Sequence, residues 1–342
     1  MSLDMKWLRR IARMLTGGLG GAIVACSVAW AADGILQKSA SQAALSALPP
    51  PANLSPAKVA LGERLFHDPV LSGREKLSCS ACHDLNTGGT VRLRRTIGYD
   101  GQIHAFNAPT IFNVGNNYRL GWRGRFTSLA VQNEAVLKDP GLMAANWTML
   151  LSRLTDDPGY LAVFRQIYGV PPSRETVLDA LVTFQMSLAT PNAPFDRFLM
   201  GDKGALTPVE KEGYRLFVEY GCVSCHQGAN IGGNMFQIFG VFGPPDAEEL
   251  SMPSDLDRRL QAPDGEESVF RVPSLRNVEV TAPYFHDGSA ATLRDAIAIM
   301  GRSQLGRKLP QSDIANLEAF LKSLTGEYNG KRLSAVVTET VR

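Results

Sequence analysis

The chain has 342 residues, of which 44% are hydrophobic and 20% are charged. This composition, with a mean hydropathy near zero, excludes both an intrinsically disordered chain and a multi-span membrane protein. The formal net charge is only +2, so the sequence has no strongly basic surface of the kind that binds nucleic acid. The length is sufficient for two domains, and five cysteines are too few for a disulfide scaffold.

The first 31 residues have the pattern of an export signal. A basic segment precedes an apolar stretch over residues 14–31, which ends in the A-x-A cleavage pattern Ala29-Trp30-Ala31. We therefore predict a signal peptide over residues 1–31 and a periplasmic mature protein. Cys26 offers an alternative, because Ile23-Val24-Ala25-Cys26 resembles a lipoprotein box and would leave a lipid anchor on that cysteine. Both alternatives place the folded part outside the cytoplasmic membrane.

Helical periodicity dominates the remaining chain, and strand-like alternation is scarce. Residues 32–52 are rich in Ala, Ser and Pro, which predicts a flexible tether. In chain order, the first predicted helix starts at Ser55-Pro56 and the second spans residues 173–188. The third starts at Thr207-Pro208 with a Glu210 capping box, and the fourth starts at Thr292 with an Asp295 capping box. The fifth spans residues 312–324. We predict an all-α fold with an N-terminal domain over residues 53–200, a C-terminal domain over 201–330 and a tail over 331–342.

Two C-x-x-C-H motifs carry the strongest chemical signal. They are Cys79-Ser80-Ala81-Cys82-His83 and Cys222-Val223-Ser224-Cys225-His226. This spacing lets two thiols bond the vinyl groups of one haem while the adjoining imidazole binds the iron. Zinc sites and redox dithiols also use C-x-x-C, but the sequence leaves too few further ligands for zinc. We predict two covalent c-type haems, anchored by Cys79, Cys82, Cys222 and Cys225 and ligated by His83 and His226.

An internal repeat surrounds the two motifs. The segment Pro109-Thr110-Ile111-Phe112-Asn113-Val114 aligns with Pro273-Ser274-Leu275-Arg276-Asn277-Val278 at an offset of 164 residues. Gly124 meets Gly288 and Leu129 meets Leu293 at the same offset. The repeat predicts two cytochrome c-like haem domains related by internal duplication.

The two copies differ at the position of Met300. Its predicted helix places Met300 on the apolar face, where a thioether can complete a His/Met haem. Met235 and Met252 are the alternative ligands, and core packing is the alternative role for Met300. Its counterpart at the same offset is Val136, which cannot bind iron. Because His/Met ligation suits electron transfer and an open position suits chemistry, we predict a division of labour between the haems.

These features together resemble the bacterial di-haem cytochrome c peroxidase family, which includes MauG. The resemblance covers about residues 53–328 and rests on Leu71-Ser72-Gly73, Asn107-Ala108-Pro109-Thr110, Val272-Pro273-Ser274-Leu275-Arg276-Asn277, Thr281-Ala282-Pro283-Tyr284-Phe285-His286-Asp287-Gly288 and Phe320-Leu321-Lys322-Ser323-Leu324-Thr325-Gly326. It implies that hydrogen peroxide is reduced to water at the N-terminal haem. Electrons would come from a c-type cytochrome or a cupredoxin, through the C-terminal haem.

The resemblance also implies further ligands and an assembly. The peroxidases have a methionine where MauG-type members have a tyrosine, so Met300 favours the peroxidase side. A calcium ion between the domains would be held by the Asn107 side chain and the backbone carbonyls of Thr281 and Pro283, a set of hard oxygen ligands. Family members are often homodimers, and we expect a homodimer here.

The sequence departs from the peroxidase pattern around the reactive haem. Aligned with that pattern, the usual Gln and the usual proton-transferring Glu fall on Leu120 and Ala130. Glu134, one turn beyond Ala130, is a candidate replacement for that Glu. The alternative interpretation is that Glu134 is an ordinary solvated carboxylate on the helix surface.

Two further positions depart from the pattern. Where many members have a displaceable His, this chain has Asp100, within Ile97-Gly98-Tyr99-Asp100-Gly101-Gln102. His104 or Tyr99 is then the alternative ligand, or the site stands permanently open, and Asp100 and His104 are further candidates for acid–base work. Phe112 falls where a tryptophan usually lies between the haems.

Two other functions remain open at this point. A MauG-like oxidase would act on a protein residue or a small organic molecule. A di-haem electron carrier would be consistent with the loss of the Gln and the Glu. We take the peroxidase as the leading hypothesis.

Overall fold

The computed structural model describes residues 44–243 and 269–334. The predicted signal peptide, Cys26, Met252 and the tail beyond residue 334 lie outside the described residues. The helices are α1 (Pro56–His67), α2 (Leu129–Lys138), α3 (Trp147–Asp156), α4 (Pro158–Tyr168), α5 (Arg174–Ser187), α6 (Pro194–Leu199), α7 (Pro208–Glu219), α8 (Leu293–Leu305) and α9 (Gln311–Lys322). In the described part of the chain, no helix is long and apolar enough to cross a membrane.

The helix-rich architecture confirms the expected class, and the few strands are short. Strand β1 (Phe236–Ile238) pairs antiparallel with β2 (Val269–Arg271), with Phe236 opposite Arg271. Strand β3 (Glu327–Tyr328) pairs antiparallel with β4 (Lys331–Arg332). Runs of two and three residues are too short to show alternation, which is why the sequence pattern did not predict them.

Most helix starts follow from capping chemistry. The Thr207 side chain accepts from the amide of Glu210 while the Glu210 carboxylate accepts from the amide of Thr207, and Thr292 and Asp295 form the same capping box. Both boxes satisfy amides that a helix start leaves unpaired. Ser55 makes no such bond, and α1 instead begins with Pro56, whose missing N–H needs no partner.

Each C-x-x-C-H motif follows a helix that crosses a later helix at very close range. A Cβ added to Gly62 of α1 would lie 2.0 Å from the carbonyl oxygen of Ala180 in α5, and one added to Gly213 of α7 would lie 1.9 Å from that of Asn316 in α9. Only glycine permits either approach. The two halves therefore share one helix arrangement, and each motif begins with a short 3₁₀ turn, at Cys79–Ala81 and at Cys222–Ser224.

Each half has its own apolar core. Phe66 and Phe184 pack at a ring-centroid distance of 5.2 Å in the first core, and Phe195 and Phe320 pack edge to face at 5.0 Å in the second. All four side chains are almost fully buried, and each such burial contributes about 1.5–3 kcal/mol to stability.

The repeat offset of 164 residues recurs in the backbone. Asn113 (φ 57°) and Asn277 (φ 61°) both have a left-handed backbone conformation, and each precedes a short 3₁₀ turn. Their side chains meet at one residue, because the amide nitrogens of both donate to the Thr190 hydroxyl, at 2.7 and 2.9 Å. Equivalent residues of the two halves therefore face each other across Thr190.

The predicted tether is shorter than expected at its C-terminal end. Leu45 is buried in the second core and bridges to Gly228. The carbonyl of Ser46 accepts from Nη2 of Arg276, at 3.0 Å. Arg276 itself is buried and pairs with the carboxylate of Asp196 at 2.8 Å, since a buried guanidinium needs an opposite charge. Residues 45–48 are thus part of the folded unit.

Candidate functional site

Two cavities of about 480 and 500 Å³ contain the two motifs. The N-terminal pocket is the cavity lined by Cys79, Cys82 and His83, and the C-terminal pocket is the one lined by Cys222, Cys225 and His226. The linings of both pockets are mainly apolar, as expected for a large flat macrocycle with a few polar anchors.

Both motif histidines are held as neutral imidazoles. Nδ1 of His83 lies 3.3 Å from the carbonyl oxygen of Gly89, and Nδ1 of His226 lies 3.3 Å from that of Ile231. A ring N–H that donates to a carbonyl fixes the tautomer and leaves the Nε2 lone pair for a metal. Burial lowers the pKa of His83 below its usual range and that of His226 to about 4. Both side chains are therefore prepared to ligate iron.

The motif cysteines do not have the character of redox thiols or zinc ligands. Burial raises the pKa of Cys79 to about 12 and that of Cys222 to about 11, whereas redox and zinc chemistry needs a stabilised thiolate. In the described ranges, no cluster of three or more His, Cys, Asp or Glu side chains could hold a metal ion. The donor set of each motif fits a covalently attached haem better than either alternative.

The pockets differ at equivalent positions of two equivalent helices. Helices α2 and α8 begin at the N-caps Ser128 and Thr292, which are 164 residues apart. Met300 on α8 lines the C-terminal pocket, and its counterpart Val136 on α2 lines the N-terminal pocket. Met235, the described rival, does not line the C-terminal pocket. A thioether is therefore available in one pocket, and a hydrocarbon stands at the same place in the other.

Two polar side chains of the N-terminal pocket come from α2, at positions that the sequence pattern does not predict. Gln132 lines the pocket one helical turn before Val136, and no described residue forms a hydrogen bond with its side chain. Asn133 and Gln185 also line the pocket, but their side-chain amides pair with each other through two hydrogen bonds of 2.9 Å. The repeat offset could have indicated Gln132, because Gln132 lies four residues before Val136, the counterpart of Met300, and residues i and i+4 share a helix face.

Leu120 and Ala130, where the sequence alignment placed the usual Gln and Glu, do not line the pocket. Leu120 is buried and bridges to Phe126, and Ala130 packs against the first core. The positions that the family pattern assigns to Gln and Glu are therefore apolar and lie outside this lining, and Gln132 is a polar amide that the pattern does not assign. A register inferred across a turn cannot show which helix face meets the cavity.

His104 lines the N-terminal pocket as a hydrogen-bond donor. Its Nδ1 accepts from the amide N–H of Phe106, at 3.2 Å. In the neutral ring this places the proton on Nε2, and a protonated nitrogen cannot bind iron. Tyr99 is buried and does not line the pocket. Of the two alternative ligands, His104 has access to the pocket, in a form suited to donating a hydrogen bond.

Asp100 and Glu134 lie outside the pocket lining. Asp100 is exposed and lies 3.5 Å from Arg74. The Glu134 carboxylate accepts from Trp147 at 2.8 Å and from Arg174 at 2.9 Å, and these hydrogen bonds lower its pKa to about 2. A carboxylate that stays ionised to such low pH is a poor proton donor. Its contacts instead fasten α2 to the starts of α3 and α5.

We expect Glu134→Gln to reduce stability and to leave peroxide turnover within about twofold. The pKa of Glu134 is lowered by folding, so its stabilisation is complete above the ordinary carboxyl pKa and is lost as pH falls toward 2. Denaturant unfolding at pH 7 should show a loss of about 1 kcal/mol, and a smaller loss at pH 3. Glu175→Gln is the control, because Glu175 touches the same Arg174 but is 73% exposed. A large fall in turnover would contradict a purely structural role.

One segment separates the two cavities. The residues that line both pockets are Asn107, Ala108, Pro109, Thr110 and Trp122. Nε1 of Trp122 donates to the carbonyl oxygen of Asn107 at 2.8 Å. Phe112 lines the C-terminal pocket alone and packs on Tyr328 at 5.0 Å. Among the described residues, Trp122 is thus the aromatic side chain that lines both cavities, whereas Phe112, which falls where the family pattern has a tryptophan, lines only one.

The three residues expected to bind calcium share one pocket lining. Asn107, Thr281 and Pro283 all line the C-terminal pocket. The Asn107 amide nitrogen donates to the carbonyl of Leu93 at 2.8 Å, which leaves its Oδ1 as an acceptor. Among the described residues, no donor binds that Oδ1 or the carbonyl oxygens of Thr281 and Pro283. Three such neutral oxygens fit a hard cation that retains water ligands.

Comparison with known proteins gives consistent matches. The sequence model of the family described as di-haem cytochrome c peroxidase matches residues 56–204. Cytochrome c551 peroxidase of Nitrosomonas europaea is 40% identical over 271 residues, covering 78% of this chain and 79% of that protein. The methylamine utilization protein MauG of Methylorubrum extorquens is 34% identical, covering 71% and 69%. The solved structure of a MauG-like protein associated with microbial copper homeostasis matches with a TM-score of 0.69 and 29% identity, covering 83% of this chain and 93% of that one.

Proposed function

Because the chain belongs to the di-haem cytochrome c peroxidase family, we propose that it is a periplasmic peroxidase that reduces hydrogen peroxide to water. Membership makes it a peroxidase-type oxidoreductase with two haem groups. We further propose that the haems are covalently attached through Cys79, Cys82, Cys222 and Cys225. A small redox protein, either a c-type cytochrome or a cupredoxin, would supply the electrons.

The difference between Val136 and Met300 carries this proposal. In the C-terminal pocket His226 and Met300 would both be ligands of the haem iron. In the N-terminal pocket His83 would be a ligand, and Val136 has no donor atom, which would leave a position for the substrate. When bound, the haem supplies the redox chemistry, and His/Met ligation gives a raised potential suited to electron transfer. This inequality supports electron entry on the C-terminal side and peroxide reduction on the N-terminal side.

Substrate orientation falls to the side chains of the N-terminal pocket. Reducing one hydrogen peroxide to two waters consumes two electrons and two protons, and solvent would supply the protons. The amide of Gln132 would hydrogen-bond the peroxide, and Nε2–H of His104 would hydrogen-bond the oxygen that leaves as water. Both side chains line the pocket, and directed donors of this kind stabilise charge that develops during a reaction.

The remaining features of the proposal have different supports. A calcium ion held by Asn107, Thr281 and Pro283 is supported by three wall oxygens without donors among the described residues. Two halves of one helix arrangement, each with its own motif, support two cytochrome c-like domains that arose by internal duplication. Export rests on the N-terminal sequence pattern, and a homodimer rests on the family resemblance.

A MauG-like oxidation of a protein residue or organic molecule is the second candidate function. The MauG relative supports it, whereas Met300 in place of the tyrosine of MauG-type members supports the peroxidase. A pure electron carrier needs both irons closed on both sides, and Val136 does not provide the second ligand.

Stopped-flow absorbance of the holoenzyme tests the proposal. The oxidised and the half-reduced protein are each mixed with stoichiometric hydrogen peroxide. We expect rapid Soret changes that an added reduced c-type cytochrome reverses over many turnovers. A long-lived oxidised species that ignores the cytochrome would favour the MauG-like function. Absence of any response in either redox state would leave an electron carrier.

We expect Gln132→Ala to lower kcat/KM for hydrogen peroxide by about tenfold to a hundredfold, the usual range for one lost hydrogen bond to developing charge. Steady-state kinetics with a reduced cytochrome measure the effect. Val131→Ala is the control, because Val131 precedes Gln132 on α2, is 51% exposed and does not line the pocket. Equal kinetics for the two variants would remove Gln132 from the reaction.

A further inference from the structure

Arg271 is a buried cation in the lining of the C-terminal pocket. It is the last residue of β2 and only 4% exposed. Its Nε donates to the carbonyl oxygen of Gly121 at 3.1 Å, and Nη1 reaches the carbonyl oxygen of Val272 at 3.5 Å. In the ranges that the structure describes, no acceptor binds its Nη2 and no carboxylate pairs with it. Burial lowers its pKa to about 10, because removing the charged guanidinium from water is unfavourable.

The comparison with Arg276 shows what is missing. Arg276, five residues later, is equally buried, and Asp196 neutralises it at 2.8 Å. A buried guanidinium without an opposite charge costs several kcal/mol, and its planar fork is matched to a carboxylate. Arg271 therefore needs an anion, and its place in the pocket lining determines where that anion lies. The group expected in this pocket, a haem, has two propionate carboxylates.

Arg271 also occupies a special position in the repeat. Its counterpart 164 residues earlier is Asn107, the proposed calcium ligand. The amide of Arg271 donates to the carbonyl of Trp122 at 2.8 Å, and the amide of Asn107 donates to the carbonyl of His286 at 2.7 Å. Trp122 and His286 are counterparts at the same offset. Equivalent backbone positions at the wall thus carry a guanidinium in one half and a cation-binding amide in the other.

We propose that Arg271 binds a propionate of the haem in the C-terminal pocket and that its charge raises the reduction potential of that haem. This inference rests on the proposed di-haem function. A nearby positive charge disfavours the more positive ferric state, so neutralising residue 271 favours oxidation. The same side chain holds Gly121 through Nε, and Gly121 lines the N-terminal pocket. Arg271 would therefore contact the haem of the C-terminal pocket and a residue that lines the N-terminal pocket.

Spectroelectrochemical titration of the holoenzyme tests this inference. For Arg271→Gln we expect the ratio of oxidised to reduced C-terminal haem, at a fixed potential, to rise about tenfold, as for loss of one charged hydrogen bond. Arg271→Lys keeps the charge and should stay within about threefold of wild type. Arg125→Gln is the matched control, because Arg125 lines the N-terminal pocket alone, and it should leave this ratio unchanged.

Several outcomes separate the inference from the proposed function. An Arg271→Gln protein with two haems and an unchanged ratio would overturn the role of Arg271, whatever its peroxidase activity. Failure of Arg271→Gln, but not of Arg271→Lys, to acquire the C-terminal haem, measured by haem content, would support the role, because the propionate contact would then help to place the haem for covalent attachment. If neither variant acquires that haem, resonance Raman of the wild type decides, since propionate bending modes without a hydrogen-bond signature would overturn the role. A wild type that binds two haems but ignores peroxide would remove the peroxidase function and leave the Arg271 test intact.

Discussion

Val136→Met should abolish the reaction of the holoenzyme with hydrogen peroxide. Val136 stands in the N-terminal pocket where Met300 stands in the C-terminal pocket, and the two helices start at equivalent N-caps. A thioether introduced there closes the side of the iron that the substrate needs. We expect the peroxide rate to fall on the order of 100-fold or more, which corresponds to about 2.7 kcal/mol of barrier. Stopped-flow absorbance of the half-reduced protein measures it.

Val136→Leu is the control for this variant. Leucine adds bulk near that of methionine but has no group that binds iron, so it separates crowding from ligation. We expect Val136→Leu to retain most of the peroxide rate and a high-spin spectrum, whereas Val136→Met should become low-spin. Equal loss of rate in both variants, without a spin-state change, would show that the equivalence of positions 136 and 300 does not extend to the iron.

Met300→Leu should slow turnover with a reduced cytochrome on the order of 100-fold. In the proposed function the Met300 thioether raises the potential of the haem that receives electrons, and leucine supplies no ligand in its place. Leucine and methionine have similar volumes, so the cost in stability should stay below about 1.5 kcal/mol. Steady-state kinetics and the potential of the C-terminal haem measure the effect.

Met235→Leu is the matched control, because Met235 is also partly buried but does not line the C-terminal pocket. It should leave turnover within about twofold. If Met235→Leu gave the lowered potential and Met300→Leu did not, the ligand assignment would be reversed.

The distal side of the N-terminal pocket shows where sequence reasoning stops. The resemblance to the peroxidases places the usual Gln and Glu at Leu120 and Ala130, whereas the structure places polar side chains of the lining on α2, at Gln132 and Asn133. Glu134 has the right chemistry and lies one residue further, yet it faces Arg174 and Trp147. A shift of one residue on a helix turns a side chain by about 100°. That rotation decides between a pocket and a surface ion pair.

The sequence by itself determined the features that depend on local spacing. The two C-x-x-C-H motifs, the capping boxes of α7 and α8, and the offset that pairs Val136 with Met300 all lie within short segments or a constant register. Only the tertiary structure decided the features that depend on distant segments meeting. These are Trp122 as an aromatic side chain that lines both pockets, Asp196 as the partner of Arg276, and the lack of a carboxylate partner for Arg271 among the residues that the structure describes. Local chemistry is set by neighbours along the chain, whereas burial and charge pairing depend on which distant segments the fold brings together.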